Sequence, residues 1–229
     1  LYRLVGSEMC IRDRFKWDDE YKYNRGKVLN KEDLDEIESF GRYLDIDNDG
    51  ICYRTYPGTH PEKGAFFTRG TSHDEYARYT EDGEVNAATL SRLMKKFRTA
   101  SELVPEPIIE INGEDSCGVI FYGSTSPAVH EAKDILKEKE INIDLMQIRS
   151  FPFNLDVWEF IANHDRIYVV EQNRDSQMRT LIMAEGGISP EILRPLVHFT
   201  GDPIQASYIV NKISEREVNY KSHINAKNR

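Results

Sequence analysis

The chain has 229 residues, 39% of them hydrophobic and 30% charged, enough for one large domain or two small ones with real cores. Its formal net charge of −9 argues against a broad phosphate-backbone interface, so no nucleic acid is expected as a partner. No apolar run reaches the roughly 18 residues that span a bilayer. Cys10, Cys52 and Cys117 stand too far apart for a disulfide, zinc or iron–sulfur framework, and a reducing, cytoplasmic setting is expected.

The first stretch, "LYRLVGSEMCIRDR" (1–14), has no apolar core of signal-peptide length, no small-residue cleavage site and no periodicity. Val5 to Asp13 resembles a transposase-library sequencing adapter translated in frame. The expectation is that 1–14 are non-native, that the natural gene was cut upstream of Phe15, and that 1–14 form no element.

From Phe15 the chain is polar and aromatic. Asn30 is placed to cap a short helix through Leu34, Ile37 and Phe40, with Glu32 and Asp33 at its positive end. "DIDNDG" (45–50) opens like a calcium loop. The twelfth position of that loop, which needs a bidentate glutamate, holds Tyr56, and Pro57 blocks the exit helix. A turn rich in Asp and Asn that bonds its own backbone accounts for it better.

The segment "FFTRGTSHDEYARYTEDG" (66–83) gathers His73, Asp74, Glu75, two tyrosines and further acids between Gly70 and Gly83. It lacks the two-histidine spacing of a zincin and has no cysteine near enough to complete a zinc set, so no metal is assigned. His73 and Glu75 have the chemistry of an acid–base pair; a loop bonded to itself explains the same letters.

A helix is predicted from about Glu84 to Val104, with Leu90, Leu93, Met94, Phe97 and Ala100 as its apolar stripe. "VPEPIIEINGEDS" (104–116) has the composition of a linker, which is assigned to 104–114. Four strand–helix alternations follow, from "CGVIFYGS" to "PIQASYIVNKI", with Ser126 and Asn154 predicted as helix N-caps and Asn173 or Asp175 capping the helix after "EQNRD". Such alternation makes an α/β fold with a parallel sheet covered on both faces over 115–214. Residues 215–229 read as a polar tail. No nucleophile elbow, glycine-rich dinucleotide loop or Walker lysine is present.

"GRYLDIDNDGICYRTYPGTHPEKGAFFTRGTSHDEYARYTED", "YGSTSPAVHEA", "IRSFPFN", "HDRIYVVEQNRDSQMRTLI" and "VHFTGDPIQASYI", taken in order, closely resemble one family: the alpha subunits of 2-oxoacid:ferredoxin oxidoreductases, most of all the 2-oxoglutarate type. The likeness runs from about Lys27 to Ile213. It implies that 15–103 end a thiamine-pyrimidine-binding domain and that 115–214 form a transketolase C-terminal-like domain. One departure is Cys52, where the family usually has a proline.

The resemblance also implies a beta subunit as partner, and an assembly using thiamine diphosphate, magnesium and an iron–sulfur cluster. That assembly converts a 2-oxoacid to its acyl-CoA and passes electrons to ferredoxin. By the same resemblance, the substrate-contacting residues lie in earlier segments and the diphosphate motif and cluster cysteines in the beta subunit. No catalytic residue is therefore assigned in this fragment, which is expected to be inactive alone. The loop of Arg54, Arg69, His73, Asp74 and Glu75 becomes the candidate junction or subunit-contact element. Asp74 or Glu75 is expected to accept a guanidinium from Arg54 or Arg69, with His73 toward the junction. The alternative is a free-standing transketolase-like binding module without catalysis.

Overall fold

The computed structural model describes residues 20–113 and 117–227. The adapter-like stretch, 1–14, lies outside them. The chain divides into two compact units between Leu93 and Met94.

The first unit has little regular structure. Helix α1 (Lys31–Glu36) is opened by a capping box: Asn30 accepts the Asp33 N–H and the Asp33 carboxylate accepts the Asn30 N–H. The helix is shorter than the stripe to Phe40 suggested. Among the described residues of this unit, only Leu34 and Ala77 are buried apolar side chains. Polar ties take the place of a core. Lys63 Nζ donates to the Leu34 carbonyl (2.8 Å) and to that of Ile37, and Thr55 to the Gly64 carbonyl (3.2 Å). Helix α2 (Gly83–Leu103) runs across the division, close to its predicted bounds.

The second unit is the expected α/β layer structure. After β1 (Ile108–Glu110) come β2 (Cys117–Tyr122), α3 (Ser126–Glu138), β3 (Ile143–Ile148), α4 (Leu155–Ala162), β4 (Ile167–Glu171), α5 (Gln177–Gly186), β5 (Leu193–Val197) and α6 (Ala206–Lys227). The sheet order is β1-β3-β2-β4-β5, and every pairing is parallel except β1 against β3. Alternate residues of each strand feed opposite faces. Cys117, Val119 and Phe121 of β2 join Val129, Ala132 and Leu136 of α3 and Ile209, Val210 and Ile213 of α6 on one side. Ile120 joins Val157, Phe160 and Ile161 of α4 and Ile182 of α5 on the other. Each buried Val, Leu, Ile or Phe among them contributes about 1.5–3 kcal/mol. Gly118 lets α4 approach: a Cβ there would stand 3.0 Å from both Ile167 and Phe160.

Several sequence readings are corrected in this unit. Residues 108–110, inside the presumed linker, form an edge strand, because β3 offers them an open row of backbone partners. The presumed polar tail continues α6 to Lys227, and Glu217 is 2% exposed within it. Ser126 is not an N-cap: a 3-10 turn over Gly123–Thr125 runs directly into α3, and the Ser126 N–H donates to the Gly123 carbonyl. Asn154 occupies the N-cap position of α4 without making a side-chain cap bond.

Candidate functional site

The loop expected to form a site folds on itself. Asp74 Oδ1 accepts the backbone N–H groups of Tyr76 (2.9 Å) and Arg78 (2.8 Å). The Asp74 N–H donates to the Arg78 carbonyl (2.9 Å), and His73 bridges Tyr79 across the loop in antiparallel fashion. The turn closes round Ala77, which is buried at φ +68°. Gly70 opens the loop at φ +78°, where the Tyr79 ring would meet a Cβ at 2.9 Å, so both conformation and space call for glycine.

His73 lies flat on Tyr43, 4.0 Å between centroids and 22° between planes, and its Nδ1 donates to the Asp74 carbonyl at 3.2 Å. Thr89 of α2 donates to the His73 carbonyl at 3.5 Å. Glu75 contributes its carbonyl, which accepts the Tyr43 N–H at 2.9 Å; its side chain is exposed.

The expected guanidinium–carboxylate lock is absent. Among the described residues, no ion pair joins Arg54 or Arg69 to Asp74 or Glu75. Arg54 donates to the Arg25 carbonyl (2.5 Å) and lies over Tyr56; Arg69 lies over Tyr79. The reason is local: Asp74 already serves the orphan N–H groups of its own turn, and both guanidinium planes find aromatic faces. The five residues therefore share one part of the chain without forming one constellation.

A charged cluster stands beside this loop in sequence, at 45–51. Asp45 Oδ1 accepts the N–H groups of Asp49 (3.0 Å) and Gly50 (2.9 Å), as expected of a turn that bonds its own backbone. In the middle sits Lys27, whose Nζ donates to Asp47 (2.5 Å), Asp49 (2.7 Å) and the Ile51 carbonyl (3.2 Å) and lies over the Tyr53 ring. Partial burial opposes the lysine's charge. The hydrogen bonds it donates to Asp47 and Asp49 outweigh it, so its pKa stands above the ordinary value, and both carboxyls are held below theirs by Lys27. An ammonium thus occupies the place that the acidic spacing reserves for a cation. The sequence reading missed Lys27, because it lies 20 residues from Asp47 and only the fold joins them.

In the second unit the notable polar group is Glu171, fully buried at the carboxyl end of β4. Its oxygens accept the N–H groups of Met178 (2.8 Å) and Arg179 (3.0 Å) at the start of α5, and the Asn173 amide (2.7 Å). The N-cap position of α5 is Ser176, left-handed and without a side-chain cap bond, rather than Asn173 or Asp175; Asn173 accepts the Gln177 N–H at 3.2 Å from the preceding loop, and Glu171 serves the next two N–H groups from the strand. The signal was available in "VVEQN", an acid ending an apolar run.

Among the described residues, no three ligating side chains converge as a metal or an iron–sulfur cluster would need. Cys117 is buried, and burial pushes its thiol up to about 12, away from the thiolate that ligates. Among the described residues, no helix is long and apolar enough to cross a membrane.

No protein-family profile matches the chain. It is similar to "2-oxoacid:ferredoxin oxidoreductase 2, subunit alpha" of Aeropyrum pernix, 26% identical over 195 residues, 82% of this chain and 28% of that protein. It is also similar to "2-oxoacid:ferredoxin oxidoreductase 1, subunit alpha" of Sulfurisphaera tokodaii, 28% identical over 191 residues, 81% of this chain and 28% of that protein. The chain therefore spans less than a third of the length of these curated relatives. Among solved structures, it resembles 2-oxoglutarate:ferredoxin oxidoreductase from Magnetococcus marinus, determined with 2-oxoglutarate, coenzyme A and succinyl-CoA bound. The TM-score is 0.68 at 22% identity, covering 79% of this chain and 31% of that one. At that identity the likeness speaks for the fold.

Proposed function

We propose that this relative of the 2-oxoacid:ferredoxin oxidoreductase alpha subunits serves as the C-terminal part of such a subunit and works only in an assembly. The observation that carries the reading is the similarity to named alpha subunits over about four fifths of the chain. In the assembly, a beta subunit and the upstream part of the alpha subunit bring thiamine diphosphate, magnesium and the iron–sulfur cluster. The reaction converts a 2-oxoacid and coenzyme A to acyl-CoA and carbon dioxide, with two electrons passed to ferredoxin. The 2-oxoglutarate type is preferred, on the five sequence segments and on the ligands named for the Magnetococcus marinus enzyme.

The contribution of this chain is mechanical. Residues 115–214 supply a rigid parallel-sheet domain of the transketolase C-terminal type, and 15–103 supply the end of the pyrimidine-binding domain. The Asp74 turn, stiffened by its own hydrogen bonds and by the Tyr43–His73 stack, is suited to hold one shape at a subunit junction. The test is co-expression with the upstream segment and a beta subunit, followed by gel filtration. The chain should co-elute with the beta subunit. Separate elution would sink the assembly reading and leave a free-standing binding module.

A further inference from the structure

The edge of a sheet is a row of unpaired N–H and C=O groups that another strand can complete. β5 is the last strand on its side of the sheet. Its pairing with β4 is parallel, and two bonds frame it: the Ile167 N–H donates to the Ile192 carbonyl and the His198 N–H to the Glu171 carbonyl, both at 2.9 Å. Even-numbered backbone groups therefore turn to β4, and those of Leu193, Pro195 and Val197 turn to the free edge.

All three of these outward carbonyls are taken by side chains. Arg179 of α5 donates from Nε to the Leu193 carbonyl (2.6 Å), and Arg216 of α6 donates to that of Pro195 (2.9 Å). The Tyr208 hydroxyl, also on α6, donates to that of Val197 (2.7 Å). The donors come from both layers, since α5 covers one face of the sheet and α6 the other. Each head is fixed by a second contact. Arg179 also donates to the Pro190 carbonyl (3.1 Å), Arg216 lies over the Tyr168 ring, and His198 packs edge-on against Tyr208. Pro195 has no N–H to offer, so the outward donors that remain are those of Leu193 and Val197.

We infer that Arg179, Tyr208, Arg216 and Pro195 guard the β5 edge against strand addition, and that the strand they exclude is β5 of a second copy of this chain. The edge is self-complementary. Turned antiparallel about Pro195, Leu193 of one copy stands opposite Val197 of the other, and opposed residues of that kind exchange both backbone hydrogen bonds. With the guards in place, every such bond must displace a side chain, two of them cationic. The guard belongs to the sheet itself and owes nothing to the function proposed above.

Arg179→Met/Tyr208→Phe/Arg216→Met removes the three donors and keeps comparable volume. In sedimentation of the 229-residue chain, the triple variant should self-associate with a Kd at least about tenfold below that of the unsubstituted chain. Hydrogen exchange should show the Leu193 and Val197 amides gaining protection as concentration rises. Adding Val197→Pro deletes an outward N–H without touching the β4 ladder, and should return association to the level of the unsubstituted chain. Tyr208→Phe alone, which deletes one hydroxyl, should strengthen association in the same direction. Three results would overturn the inference: a folded triple variant that associates no more than the unsubstituted chain, association that survives Val197→Pro or leaves those amides unprotected, and self-association of the unsubstituted chain that protects them. Where the triple variant does not fold, an unchanged Tyr208→Phe chain overturns it equally.

Discussion

Asp74 holds two backbone N–H groups with one oxygen, so its loss leaves both to water or to nothing. Asp74→Ala should lower stability by about 1 kcal/mol, the usual worth of a cap or turn carboxylate. Glu75→Ala, whose side chain is exposed, should stay within about 0.5 kcal/mol; thermal unfolding of both variants checks the contrast. Glu217 is the stronger case. Its two oxygens take Arg166 Nε (2.9 Å) and the Tyr168 hydroxyl (2.8 Å) in a buried setting. Glu217→Ala removes the carboxylate that Arg166 and Tyr168 share, at about 3–5 kcal/mol. A loss below about 1 kcal/mol in denaturant unfolding would show that water replaces the carboxylate.

Strand β1 shows why some elements can be read from letters and others cannot. The buried strands β2 and β4 are continuous apolar runs because helices cover both faces, and that pattern is visible in "CGVIFY" and "IYVVE". β1 has three residues, prolines before it, and exposed isoleucines. Only its pairing with β3 and its side-chain fastenings make it a strand. Glu110 accepts Lys133 Nζ (2.7 Å) and His130 Nε2 (3.1 Å), and the Asn112 N–H donates to buried Asp144 (2.7 Å). The hydrogen bond from Lys133 holds the Glu110 carboxyl below its ordinary range; burial opposes this, and His130 adds to it. A carboxyl lowered by folding stabilises above its unfolded value, about 4.3, and that contribution fades as pH falls through the folded value. The protection of the Ile108–Glu110 amides against hydrogen exchange, taken relative to the intrinsic exchange rate at each pH, should therefore fall on acidification below about pH 4, ahead of β2, and Lys133→Ala should move the onset to higher pH. The end of α6 was hidden for a related reason: Glu217 is a polar letter buried by partners on and beside β4. The Asp74 turn was half legible. Its density of polar groups marked a bonded loop, but which donors a carboxylate takes is settled by the local backbone, not by the count of nearby arginines.

At the scale of the molecule, the two units differ in how they are held. The second has two apolar layers about a five-stranded sheet, whereas the first rests on polar ties such as the Lys27 cluster. Lys27→Ala would set Asp47 and Asp49 against each other without their cation, and proteolysis within 20–60 should quicken while the sheet unit stays protected. The proposed function turns on where activity resides, and 2-oxoacid- and coenzyme A-dependent dye reduction measures that directly. With thiamine diphosphate and magnesium supplied, this chain alone should give no reduction, and the complex with the upstream segment and a beta subunit should give it. Turnover by the chain alone, or none by a complex that forms intact, would contradict the account.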